Sequence, residues 1–464
     1  MDLAAVLLHG FGARYDLPIA LSLFLYAGAG VVVISFVLVV LFTGEKLGRK
    51  AISYPRRPLP LLLALGRSRT VRVLAGAIGL LFLAAIISTG LFGIQDQPAS
   101  NPSEYLLWIY FWAGLVILSG LVGNLWTLFN PWAALFDLAT RGRPPAPRRE
   151  LPARLGIWVA VGLYFLFAFF ELASGQANRP RVVGSLALIY TAMTIIGMAV
   201  FGRRAWLERC EAFSVLFAVV GRFSPVETER DESGRLGGVW LRPYGAGLLQ
   251  PWGSGWDRVT FLILMLSSLA FDGLVATPPW FALDASTYQF LGGLGTFQQP
   301  LVRGLGLAIL TAGFLLIFNG FAQLMIRLGR GTTDNLQTIT AFALTLVPIA
   351  LVYNAAHNYS YLVVQSQALI PLLADPFGRG WTLLPTQGFT PSFALAGAAL
   401  VWYVQVLLIV FGHVIAVYLA HLRAGERFRT AQRALLSQYP MLILMVLYTM
   451  TSLWILAQPI TQGG

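Results

Sequence analysis

A single cysteine, Cys210, among 464 residues leaves no disulfide framework and no thiolate metal cluster. Charge is scarce too: Asp, Glu, Lys and Arg make up 11% of the chain, against about 25% in a soluble domain. The phosphate-loop spacing G-x-x-x-x-G-K-[ST] does not occur, and "GVWLRPYGAG" reads as turns, so no nucleotide is expected. The H-E-x-x-H and H-x-x-E-H zinc spacings are also missing. Ser360 and Ser366 flank a histidine without an evident buried acid to orient it, so no Ser-His-Asp grouping is readable. His9 lies too far outside to pair with a second histidine at similar depth, so no haem is expected. Nor is an internal inverted repeat visible, which weakens the reading as an ordinary secondary transporter.

What fills the chain is apolar sequence, 57% of all residues. A helix needs about 20 such residues to cross a bilayer core. Windows of that kind lie at 17–42, 71–94, 105–128, 154–173, 182–202, 258–277, 302–326, 338–356, 394–420 and 437–458. The expected fold is therefore all-α: a polytopic membrane helical bundle of about ten spans, one domain over residues 1–464. In the eighth window, apolar character resumes at "YLVVQSQALIPLL", so that helix either extends or re-enters after a break near Pro348. The opening "MDLAAVLLHGFGARYDLPIALS" lacks a basic n-region and is expected to be retained.

Basic residues sort by loop. The segments 43–72, 141–154, 203–258, 327–330 and 423–433 hold 27 of the 32 Lys and Arg residues. The alternate loops hold only Arg14, Arg179, Arg181, Arg303 and Arg379. The positive-inside rule makes the first set cytoplasmic and puts both termini outside. The net charge of +12 is then mostly topogenic, with clusters such as "KLGRK" set against anionic headgroups, and nucleic acid is not needed to explain it. The largest cytoplasmic loop, 204–257, opens with the amphipathic "RRAWLERCEAFSVLFAVVGRF", read as an interfacial helix, and closes with a glycine-rich irregular stretch.

This orientation gathers polar residues at the outer end. His9, Arg14 and Asp16 precede the first span, and Glu171 closes the fourth. Asp272 is about 14 residues into the sixth, roughly 21 Å from its cytoplasmic start. In "YNAAHNYSYLVVQSQ", the residues Asn354, His357, Asn358, Tyr361 and Gln365 follow i, i+3, i+4, i+7 and i+11, one helical face. A polar stripe on an apolar helix must face protein or a water-filled cavity. Simpler roles stand beside this reading. Asp272 is equally a cap or a partner of Arg14, and Glu171 is expected to pair with Arg179 or Arg181. Gln405 and His413, deeper on the ninth span, form either an interhelical contact or a proton relay. His413 and His421 sit too far inward to share a ligand shell with His357.

The segments "HGFGARYDLPI", "GNLWTLFNPW", "SLAFDGLVATPPW", "LVPIALVYNAAHNYSYLVVQSQALIPLLADPFG", "YVQVLLIVFGHVIAVYLAH" and "SQYPMLILMVLYTM" occur in this order. Together they resemble bacterial membrane proteins labelled fenitrothion hydrolase, over essentially the whole chain. The resemblance implies a multi-pass protein of the bacterial inner membrane that hydrolyses organophosphorus esters. Among the matching positions, His9, Asp16, Asp272 and His357 have usable chemistry.

Two functions follow as expectations. The first is an outward-facing hydrolase of lipophilic phosphoesters. His357 and Asp272 are catalytic, Asn354, Asn358, Tyr361 and Gln365 bind substrate, and His357, Asp272, His9 and Asp16 hold one divalent metal ion. The second is a transporter, or a subunit partnered with another membrane protein, in which the same stripe lines a solute or proton path through Gln405 and His413. An enzyme needs its polar groups clustered in one leaflet, whereas a path needs them in both.

Overall fold

The structure is a computed structural model that describes residues 20–43, 54–143, 145–231, 235–330, 334–386, 388–394 and 396–461. Helices follow the apolar windows. They are α1 (Leu21–Thr43), α2 (Arg69–Phe92), α3 (Pro102–Leu121), α4 (Pro131–Ala139), α5 (Trp158–Leu172) and α6 (Pro180–Phe201). A short buried helix, α7 (Ala212–Val220), precedes α8 (Trp256–Leu274) and α9 (Pro278–Leu291). The chain continues through α10 (Gln298–Leu328), α11 (Asn335–Leu344), α12 (Val347–His357), α13 (Tyr359–Val363), α14 (Ala398–Arg427) and α15 (Ala431–Thr461). Among the described residues, nine helical stretches are long and apolar enough to cross a membrane, and a tenth arises if α8 and α9, bent by 81°, count as one.

Local chemistry sets several boundaries. Pro102, Pro131 and Pro180 occupy first-turn positions where a missing N–H costs nothing. Asn101, Asn130 and Asp334 cap their helices by accepting backbone N–H bonds. The Pro348 region breaks the eighth span only mildly: α11 ends at Leu344, α12 starts at Val347, and the two form one span with 94% of its apolar window buried. That span is the central strut of the bundle, packed on α8 and α14. Helices α2 and α6 meet where Gly90 faces Gly184. A Cβ on Gly184 would lie 3.0 Å from the Ile87 carbonyl oxygen, so small residues permit this approach.

The described parts of the five basic segments meet at one end. Arg57–Pro58 (β1) joins Val226–Arg230 (β2) and Leu236–Leu241 (β3) in an antiparallel sheet of order β1-β3-β2. Arg209 donates to the carbonyls of Leu151, Pro152, Ala153 and Gly156. Arg423 donates to Leu248, and Arg427 to Gln337. The loop after α6 therefore differs from the sequence reading. Its first part divides into Arg203–Arg209 and α7, with Glu211 capping α7 through the N–H groups of Phe213 and Ser214. Helix α7 is enclosed by α3, α5 and α12, and the loop beyond it holds two strands, β2 ahead of the glycine-rich stretch and β3 within it.

Candidate functional site

At the opposite end from the arginines, Asp272 ends α8 and His357 ends α12. His357 Nε2 lies 2.8 Å from Asp272 Oδ2, with the two side chains 11% and 17% exposed. One turn earlier on α12, the Tyr353 ring stacks on the imidazole at 6.0 Å and 8°. Its hydroxyl rests against Gly273, where an added Cβ would come within 2.6 Å of it. A direct contact of this kind fixes the ring's orientation and assigns Nε2 to the carboxylate, so any proton exchange with a third group falls to Nδ1.

Other carboxylates and phenols surround the pair. Glu171, at the end of α5, is within electrostatic reach of Asp272 and close to the Trp112 indole. This corrects the expected pairing with Arg179 or Arg181, both of which are exposed. The physical reason is helical phase: Glu171 lies one turn beyond Ala168 on α5, and Ala168 packs in the cluster around Phe271 of α8. Tyr361 stands within reach of both Asp272 and Glu171. Asp272, His357 and Tyr361 each make a further interaction beyond these.

The expected continuous stripe is interrupted. Asn358 has φ −90° and ψ 10°, off the helical path, and its amide donates to Asn354 Oδ1 at 2.8 Å and to the Asn354 carbonyl at 3.1 Å. Such a local bond competes with helix continuation. Asn354 is buried and satisfied by this neighbour, and Gln365 begins a short 3₁₀ turn on another path. The predicted face therefore holds only over its first turns.

Gln405 on α14 donates to the Ala356 carbonyl at 3.1 Å, next to His357 in sequence. His413 is fully buried two turns further along α14, with Nδ1 2.8 Å from the Ile409 carbonyl oxygen. His421 bonds Gln438. His9 and Asp16 lie outside the described residues. Among the described residues, no group of three or more His, Cys, Asp or Glu side chains converges as a metal site. Two members of the site escaped sequence reading: Trp112 and Tyr353.

Fold and site together define an all-α bundle with long apolar helices and a mostly buried acid–imidazole pair at the end away from its basic loops. Compared with known proteins, the chain matches no family model, no curated protein and no solved structure.

Proposed function

We propose that the protein is a hydrolase of lipophilic phosphoesters in the bacterial inner membrane, with the His357–Asp272 pair as its general base on the outer side. The observation that carries this reading is the 2.8 Å contact between the two side chains. Asp272 holds the imidazole in one tautomer and offsets the positive charge it acquires. Nδ1 of His357 takes a proton from water, the water oxygen bonds to phosphorus, and the phosphorus–oxygen bond to the aryl group breaks. The aryl oxide leaves with the electron pair. The resemblance to fenitrothion hydrolases and the apolar surroundings favour such a substrate. A metal ion would need a third donor, for which His9 and Asp16 are the candidates. In the described donor set, Nε2 and Oδ2 face each other. The test is release of nitrophenolate from a nitrophenyl phosphotriester by protein in lipid vesicles, with metal content measured on the same sample. Wild type should turn over and His357→Ala should not; equal rates would overturn the proposal.

One observation favours a second reading, a proton path. Tyr353 and Tyr448 border a cavity of about 20 Å³, room for one water, and both hydroxyls are unpartnered among the described residues. Gln405 Oε1 and His413 Nε2 are unpartnered in the same sense further along the bundle. A path of this kind predicts proton flux in proteoliposomes that falls in Tyr448→Phe. Flux equal in wild type and variant would count against it.

A further inference from the structure

A second concavity, of about 500 Å³, lies between α2, α3, α5 and α6, apart from the acid–imidazole pair. Helix α5 separates them. Leu163, Phe167 and Phe170 face the cavity, while Tyr164 packs on Phe261 of α8 and Ala168 belongs to the cluster around Phe271. Opposite faces of one helix thus serve two different places, as the 3.6-residue period requires.

We propose that this cavity holds an acyl chain of a membrane phospholipid. Three observations converge. First, its few polar side-chain atoms are occupied elsewhere. Tyr110 donates to the Ser366 carbonyl, Tyr190 to Glu211, and the Trp132 indole to Thr191. Nothing remains in the wall to recognise a polar molecule, and a cavity so lined excludes water. Second, the mouth faces sideways. Ile78 on α2, Leu166 on α5 and Ile189 on α6 all line it, and they are 56%, 61% and 62% exposed. In a membrane those positions meet hydrocarbon, so a chain enters from the bilayer without crossing water. Third, the cavity is long. Its wall on α6 runs from Val183 to Met193, roughly 15 Å at the helical rise, which suits a chain lying parallel to the helices. The volume is also within the usual range of about 300–1,000 Å³ for ligand sites. Without an occupant, the aromatic wall would lack dispersion partners on one side. The proposal rests on the membrane placement but not on hydrolysis.

The test uses the full chain in vesicles of phosphatidylcholine carrying a photoreactive diazirine in mid-acyl chain, with residue-resolved mapping of the label. Enrichment at Leu107, Phe170 and Ala187, above the level of lipid-facing Leu188, is expected. Ala187→Trp fills the cavity and should abolish the enrichment; Leu188→Trp, outside it, should not. Label spread evenly over the outer helix faces, or enrichment that survives Ala187→Trp, would overturn the proposal. Label on none of the spanning helices would instead overturn the membrane placement. Because a filled variant can fail to fold, native mass spectrometry of the wild type provides a second readout. A phospholipid adduct retained through purification is expected; a bare protein, or an adduct of detergent or another lipophile alone, would overturn the proposal.

Discussion

His357 Nε2 and Asp272 Oδ2, 2.8 Å apart, join the distal ends of α8 and α12. The contact has a structural consequence that does not depend on any reaction. Removing one partner of a mostly buried pair leaves the other with its desolvation less well repaid. Asp272→Asn and His357→Gln should each lower the melting temperature in detergent. The double variant should lose less than the sum, with a coupling of about 0.5–3 kcal/mol. Strict additivity in a double-mutant cycle would mean that the two groups do not interact.

Gly273 is the seat of the Tyr353 hydroxyl. A Cβ there would press on Ile455 and come within 2.6 Å of the Tyr353 oxygen. Gly273→Ala should therefore destabilise the protein by about 1–3 kcal/mol, the usual cost of overpacking. It should also reduce turnover, because Tyr353 stacks on His357. A variant as stable as wild type would show that α8 and α12 are less tightly apposed.

Cys210 is buried, and burial pushes its thiol up to about 11. The native protein should resist maleimide at neutral pH and react after unfolding in detergent. This silent background allows engineered cysteines to report sidedness. In intact cells an impermeant maleimide should label Thr382→Cys, beyond α13, and leave Arg148→Cys, at the basic end, untouched. The reverse pattern would invert the orientation.

The turn after α13 carries its own pH dependence. Desolvation is the largest single influence and works against the Asp375 carboxylate, but the backbone N–H groups around it, those of Arg379 and Gly380 at 2.8 and 2.6 Å among them, together hold it below the usual range. A depressed folded value contributes stability that is present above the ordinary carboxyl pKa of about 3.9 and lost as pH falls through the folded value. Protease protection of residues 374–383 should persist through neutral pH and fade only in strong acid. Asp375→Asn should weaken it at neutral pH. Protection that fades between pH 6 and about 5, above the carboxyl range, would assign it to another group.

The apolar helices were legible because twenty-residue runs need no tertiary information. The basic end was legible for a similar reason, since loop charge alone separates it. The acid–imidazole contact was only half legible. Asp272 stood out as a polar residue inside an apolar window and His357 as one just past the end of another, but their meeting depends on how α8 packs against α12. Glu171 turned inward because its neighbours on α5 bury against α8, which no local rule anticipates. The sheet left almost no trace: β1 is two residues long, β2 reads "VETER", and β3 contains Gly237 and Gly238. The middle of α3, Tyr105–Leu115, is π-helical. Eleven apolar and aromatic residues in a row carry no period to reveal that.

The most direct measurement is the rate of nitrophenolate release from the phosphotriester by wild type, His357→Gln and Asp272→Asn in vesicles, followed across pH. General-base catalysis predicts a rate that rises with pH to a plateau in wild type, and a loss of about 10²–10⁴-fold in His357→Gln. Asp272→Asn should lose rate in the same direction, because the imidazole is no longer held in the required tautomer. Turnover by His357→Gln at the wild-type rate, or no turnover by folded wild type, would contradict the assignment of His357 and Asp272 as a catalytic base.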